Sequence, residues 1–151
     1  LFPTQNAIKD GYDQIIWTDA ATHQYVEEAG TMNLMFVVNG SLVTAPTGDT
    51  ILDGVTRKSV LQIAKDWGMD VQERPLSIKE LIEGIQSGSV TEAFGAGTAA
   101  VIAPIATIGF EGVDYQLPER KSDDFSARVY TEINQIRLGE IPDSRGWIWK
   151  V

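Results

Sequence analysis

Cysteine is absent from this chain of 151 residues, which excludes a disulfide framework, a thiolate nucleophile and a thiolate metal site. Histidine occurs once, at His23 in a polar stretch, so this chain can supply neither a histidine-based triad nor a multi-histidine metal site. Basic residues are outnumbered: 12 Lys and Arg stand against 21 Asp and Glu, a net charge of −9. That balance opposes a polyanionic nucleic-acid partner. No apolar run approaches the length needed to cross a bilayer, so no membrane segment is expected. A cysteine-free chain is compatible with a reducing compartment, and the cytoplasm is the expected location. The opening Leu1-Phe2-Pro3-Thr4 lacks an initiator Met and the charged and apolar regions of a signal peptide. The natural protein is therefore expected to begin earlier.

What is present is the composition of a globular domain, 43% apolar and 22% charged, with no repeat and no low-complexity tract. Asn6 to Asp10 reads as a helix end closed by Gly11. Gln14 to Thr18 and Tyr25 to Glu28 read as strands around a turn at Asp19 to Thr22. Leu34 to Val38 and Ser41 to Ala45 flank Asn39-Gly40, the dipeptide suited to a type I′ hairpin. After Gly54, the positions Val60, Leu61, Ala64 and Trp67 follow helical spacing as far as Gly68. Ser77-Ile78-Lys79-Glu80 matches a capping box opening a further helix. Val90 to Phe94 and Val101 to Ile108 read as core strands separated by Gly95-Ala96-Gly97-Thr98. Asp123 to Leu138 reads as the last helix, with Asp123-Asp124 as its acidic first turn. The four tryptophans read as core and docking residues, with Trp147 and Trp149 clamping a terminal strand. The interspersed pattern predicts a mixed, barrel-like α+β domain with flanking helices over residues 1–151, rather than a doubly wound parallel sheet.

Three segments pair a tight backbone with a polar group. In Glu28-Ala29-Gly30-Thr31-Met32-Asn33 a carboxylate ends a strand; it either binds a cationic ligand nitrogen or is an ordinary strand-end acid. In Ile51-Leu52-Asp53-Gly54-Val55-Thr56-Arg57 a loop enters a helix, whose first N–H groups lack internal partners and favour an anion. Val55 and Thr56 are the residues placed to hold a phosphate, unless Thr56 only caps its own helix. In Gly95-Ala96-Gly97-Thr98-Ala99 two glycines permit close approach and successive amides can bind an anion, although glycines beside a strand also mark simple bends. The lysines Lys9, Lys58, Lys65, Lys79, Lys121 and Lys150 stand in polar contexts that suit none of them to a Schiff base.

Taken together and in this order, these segments resemble the fold type IV pyridoxal-phosphate enzymes, specifically the branched-chain aminotransferases. The likeness runs over essentially the whole chain, including Gly11-Tyr12-Asp13-Gln14-Ile15-Ile16-Trp17 and the tryptophan-bearing end. It implies that Glu28 contacts the pyridine nitrogen of pyridoxal 5′-phosphate, that Val55 and Thr56 hold its phosphate with the Thr98 hydroxyl assisting, that the Thr98 and Ala99 amides receive the substrate carboxylate, and that Thr31 and Met32 line the side-chain pocket. It also implies a homodimer acting on branched-chain amino acids and 2-oxoglutarate. Related members of the fold type, D-amino-acid aminotransferase and aminodeoxychorismate lyase, are the alternatives, with Gly30-Thr31-Met32-Asn33 favouring the branched-chain group. A noncatalytic binding module is a further one. Two departures stand out. The family's Schiff-base lysine and small N-terminal domain would both lie ahead of Leu1, so the chain alone is expected to be inactive. The cysteine pair some members carry is replaced at Ala100 and Ala103, which excludes thiol regulation by that route.

Overall fold

A computed structural model describes residues 2–149. Its elements run α1 (Phe2–Lys9), β1 (Ile16–Thr18), β2 (Val26–Ala29), β3 (Met32–Val38), β4 (Ser41–Thr44), α2 (Val55–Asp66), β5 (Val71–Glu73), α3 (Ile78–Ser87), β6 (Val90–Gly97), β7 (Val101–Pro104), β8 (Thr107–Phe110), β9 (Val113–Gln116) and α4 (Phe125–Leu138). Strands β1 to β7 form one mixed sheet, and β8 and β9 form a separate hairpin. The expected mixed α+β architecture is what is found.

β3 is the centre of this arrangement. One of its edges pairs with β6 from Asn33 to Val38. The other is shared: β2 takes Met32 and Asn33, while β4 takes Met35 to Val38. The sheet therefore forks at Leu34, whose carbonyl accepts a 2.6 Å hydrogen bond from the Thr44 hydroxyl. Six of the seven β3 residues, Asn33 to Val38, are buried, because both faces of the sheet are covered. Met35 and Val37 pack with Phe94 against Val60, Ile63 and Ala64 of α2 and Val129 and Ile133 of α4. Leu34, Phe36 and Val38 pack on the opposite face, with Leu81 and Ile85 of α3 and Ile108 of β8.

Local signals fix several ends as expected. Asn39 (φ 49°) and Gly40 (φ 79°) both occupy the left-handed region between β3 and β4, as a type I′ turn requires. The Ser77 hydroxyl accepts from the Glu80 amide at 3.0 Å, and Gly88 closes α3 with φ 82°. The capping box is only half formed, however. The Glu80 carboxylate binds the Arg74 guanidinium at 2.7 and 3.0 Å instead, a bidentate charged contact stronger than one bond to a neutral amide.

Other expectations are corrected. Gly95 to Gly97 belong to β6 itself rather than to a separator, and the stretch from Val101 to Ile108 is two strands, β7 and β8. The break comes after Pro104, between the last β6 contact at Ile105, whose N–H donates to the Ala93 carbonyl at 2.8 Å, and the start of β8 at Thr107. Of Gln14 to Thr18, only Ile16 to Thr18 pair. Asp123 and Asp124 precede α4, which has no acid in its first turn. Glu92 of β6 accepts from the Phe125 and Ser126 amides at 2.9 Å each and supplies that charge from across the fold. No strand forms at Trp147 to Trp149. Of the tryptophans only Trp67 joins the core; Trp17 and Trp149 are exposed. The terminal segment is instead anchored by Arg145, which is bound to Asp66 and Glu132 at 2.7 Å each.

Candidate functional site

The candidate residues converge on one end of the sheet. Glu28 stands at the end of β2, Thr31 and Met32 open β3, and Thr98 and Ala99 follow the end of β6. Because β2 and β6 both run antiparallel to β3, with Glu28 opposite Asn33 and Gly97 following the Asn33–Ala96 pair, these three strand ends lie side by side.

The Glu28 carboxylate is half-buried and fixed through one oxygen. Oε1 accepts from Asn33 Nδ2 and from the Leu52 amide, both at 3.0 Å. Among the described residues Oε2 has no hydrogen-bond partner, leaving an acceptor directed by its fixed twin. Asn33 is 5% exposed, and its Nδ2 also donates to the Leu52 carbonyl at 2.7 Å. Together with the Thr50 hydroxyl bond to Glu27 at 2.9 Å, these contacts stitch the loop from Ala45 to Gly54 across the fork between β2 and β4.

That loop delivers α2. Its N-cap is Gly54, which has no side chain to satisfy the first amides and accepts only the helix's own first hydrogen bond, from Lys58. The Val55 and Thr56 N–H groups are thus left at the positive end of the helix. Val55 is exposed, and the Thr56 side chain makes no capping bond. The helix start is held in place by Arg57, which is buried and binds the Ala45 carbonyl at 3.0 Å and Glu73 at 2.8 Å.

Met32 lies across β6. A Cβ on Gly95 would come within 2.9 Å of its sulfur, and one on Gly97 within 2.9 Å of its Cγ. The two glycines are therefore explained by the thioether packed on them. Beyond them, Thr98 to Ala100 form an exposed turn, and Val101 follows with φ 58°. The Thr98 and Ala99 backbone is thereby presented at the surface beside Met32 and Thr31. No Schiff-base candidate emerges, since Lys9, Lys58, Lys65, Lys79 and Lys121 are all exposed; Lys150 lies outside the described residues. His23 is an exposed turn residue.

The approach to β2 is set by Asp19. Its carboxylate accepts from the Tyr25 and Gln24 amides at 2.8 Å and from the Thr22 amide and hydroxyl at 2.6 and 2.7 Å. The bonds from Tyr25 and Thr22 hold this carboxyl well below its usual range. A depressed carboxyl contributes stability above its unfolded pKa of about 3.9 and loses it as pH falls toward the folded value. Asp19→Ala is therefore expected to lower stability at neutral pH and to flatten the loss below about pH 4, as measured by denaturation across pH.

Residues 2–108 match the family model for class IV amino-transferases. The chain belongs to the class IV aminotransferases. It is 40% identical to a probable branched-chain-amino-acid aminotransferase of Staphylococcus aureus (strain N315), over 97% of this chain and 41% of that protein. Among solved structures, the branched-chain amino acid aminotransferase from Escherichia coli superposes with a TM-score of 0.78 at 29% identity, over 97% of this chain and 46% of that one. The branched-chain amino acid aminotransferase from Thermobaculum terrenum, in its PLP-bound holo form, gives 0.79 at 25% identity, over 95% and 43%. The chain thus spans about two-fifths of the length of the curated relative it matches.

Asn33 and Leu52 stand in segments singled out in the sequence, but the bonds by which they hold Glu28 were not among the expectations. Asn33 reads as the end of the Gly30-Thr31-Met32-Asn33 stretch, and only its pairing with a loop 19 residues away reveals its contact with Leu52.

Proposed function

We propose that this chain is the C-terminal, cofactor-cradling domain of a pyridoxal-phosphate-dependent branched-chain aminotransferase, which exchanges the amino group between leucine, isoleucine or valine and 2-oxoglutarate. In this reading the whole protein is a cytoplasmic homodimer, with the Schiff-base lysine and small domain on the part preceding Leu1. The observation that carries it is the pairing of a carboxylate fixed through Oε1 alone with a helix start whose amides no side chain caps. An acceptor and an anion site, tied together by one loop, suit a ligand with a protonated ring nitrogen at one end and a phosphate at the other.

Bound there, the pyridine ring of the cofactor supplies an acceptor for the electrons released when the substrate Cα loses its proton. Glu28 holds a proton on the ring nitrogen, since a fixed anion stabilises the cationic form. The Val55 and Thr56 amides bind the phosphate at the helix start, assisted by the Thr98 hydroxyl. The Thr98 and Ala99 amides take the substrate carboxylate, and Thr31 and Met32 line its apolar pocket. With alanine at positions 100 and 103, no thiol there modulates the reaction.

The test is substrate profiling of the full-length protein. Transamination of L-leucine, L-isoleucine and L-valine with 2-oxoglutarate is the expected result. A preference for D-alanine would assign the protein to the D-amino-acid aminotransferases instead.

A further inference from the structure

We propose that Asn33 is a positioning residue that sets the Glu28 carboxylate and the N-terminus of α2 in one fixed relation, so that both ends of the cofactor are held by a single buried amide. The inference rests on the reading of Glu28 and Val55–Thr56 given above and extends it to a residue that touches neither the ring nor the phosphate.

Three contacts support it. The Asn33 amide nitrogen donates to Glu28 Oε1 and to the Leu52 carbonyl. Both partners are acceptors, so only the NH₂ group can face them, and the amide's orientation is determined. The amide oxygen then faces Gly54, where a Cβ would come within 2.5 Å of Oδ1. Asn33 thus touches the carboxylate, the middle of the loop and the N-cap of α2. The Leu52 amide closes the ring by donating to the same Glu28 oxygen. At 5% exposure the side chain has little water to replace a lost partner, so its removal leaves the Leu52 carbonyl with the Gly54 amide alone and Glu28 held by one bond instead of two. An alternative account is that Asn33 only fills space in the fork.

The experiment uses the full-length protein, with Asn33→Ala, Asn33→Leu and Glu28→Gln variants. Leucine fills the volume but donates no hydrogen bond. Two quantities are read: the dissociation constant for pyridoxal 5′-phosphate, and the ¹⁵N chemical shift of its ring nitrogen when bound, which reports protonation there. Both Asn33 variants are expected to weaken cofactor binding on the order of 10-fold, the scale found when partners that orient a ligating group are removed. Both are also expected to move the ring signal toward the unprotonated position, with no further movement when combined with Glu28→Gln.

If Asn33→Leu keeps the parental affinity and ring signal while Glu28→Gln moves that signal, the inference is overturned and the cofactor reading stands. If Glu28→Gln leaves the ring signal unmoved, the cofactor reading itself is wrong. Should the Asn33 variants not fold, Gly54→Ala reaches the same contact from the helix side. Its methyl group displaces the amide, and it is expected to weaken binding and move the ring signal in the same direction; parental values in that variant would overturn the inference.

Discussion

Replacing Glu28 by Gln in the full-length protein is expected to lower turnover by about 100-fold or more, the scale found when one preorganised electrostatic partner is deleted from an active site. Cofactor affinity should fall much less. Glutamine keeps the size and an oxygen acceptor but removes the negative charge, so what is lost is the bias toward a protonated ring nitrogen and with it the ring's capacity to accept electrons. The phosphate contacts at Val55 and Thr56 are untouched by this change. Steady-state kinetics and a cofactor titration on the same variant check the split. Equal losses in both would make Glu28 a binding residue rather than one acting on the chemistry.

Phe94→Ala is expected to have the largest effect on stability. The ring is fully buried, tilted against Phe125 at a centroid distance of 6.1 Å, and part of the cluster joining β3 and β6 to α2 and α4. Truncating such a ring removes the transfer gain and leaves a cavity, about 3–5 kcal/mol in comparable cores, against a typical domain stability of about 5–15 kcal/mol. The midpoint of chemical denaturation should fall accordingly. Phe94 directly precedes Gly95, so a loosened β6 should also disorder the Thr98 turn. A shift under about 1 kcal/mol would mean that the core here collapses around the vacancy, the cavity penalty being smaller where a site can relax.

What the sequence made legible was local. Asn39-Gly40, Ser77 and the glycine after α2 specify dihedral angles or caps within a few residues, and the hairpin turn, the Ser77 cap and the end of α2 before Gly68 form as expected. The short parallel strand β5 and the β8–β9 hairpin went unread. Val71-Gln72-Glu73 is too polar and brief to register, and Glu111-Gly112 is not one of the usual type I′ dipeptides, although both residues adopt positive φ. The remaining failures are long-range. Glu92 caps a helix 33 residues away, and Asn33 reaches Leu52 across the fork; no periodicity encodes such pairings. At the site, the resemblance pointed to Glu28, Thr56 and Thr98. The reason Gly95 and Gly97 are glycines, their contact with Met32, became visible only when β3 and β6 were seen paired.

Borohydride reduction of the full-length protein in the presence of pyridoxal 5′-phosphate, followed by intact mass and peptide mapping, bears on the cofactor-cradle reading most sharply. A covalent pyridoxyl adduct is expected on a lysine upstream of Leu1, with residues 1–151 unmodified. An adduct on one of the chain's own lysines, or none at all, would contradict that reading.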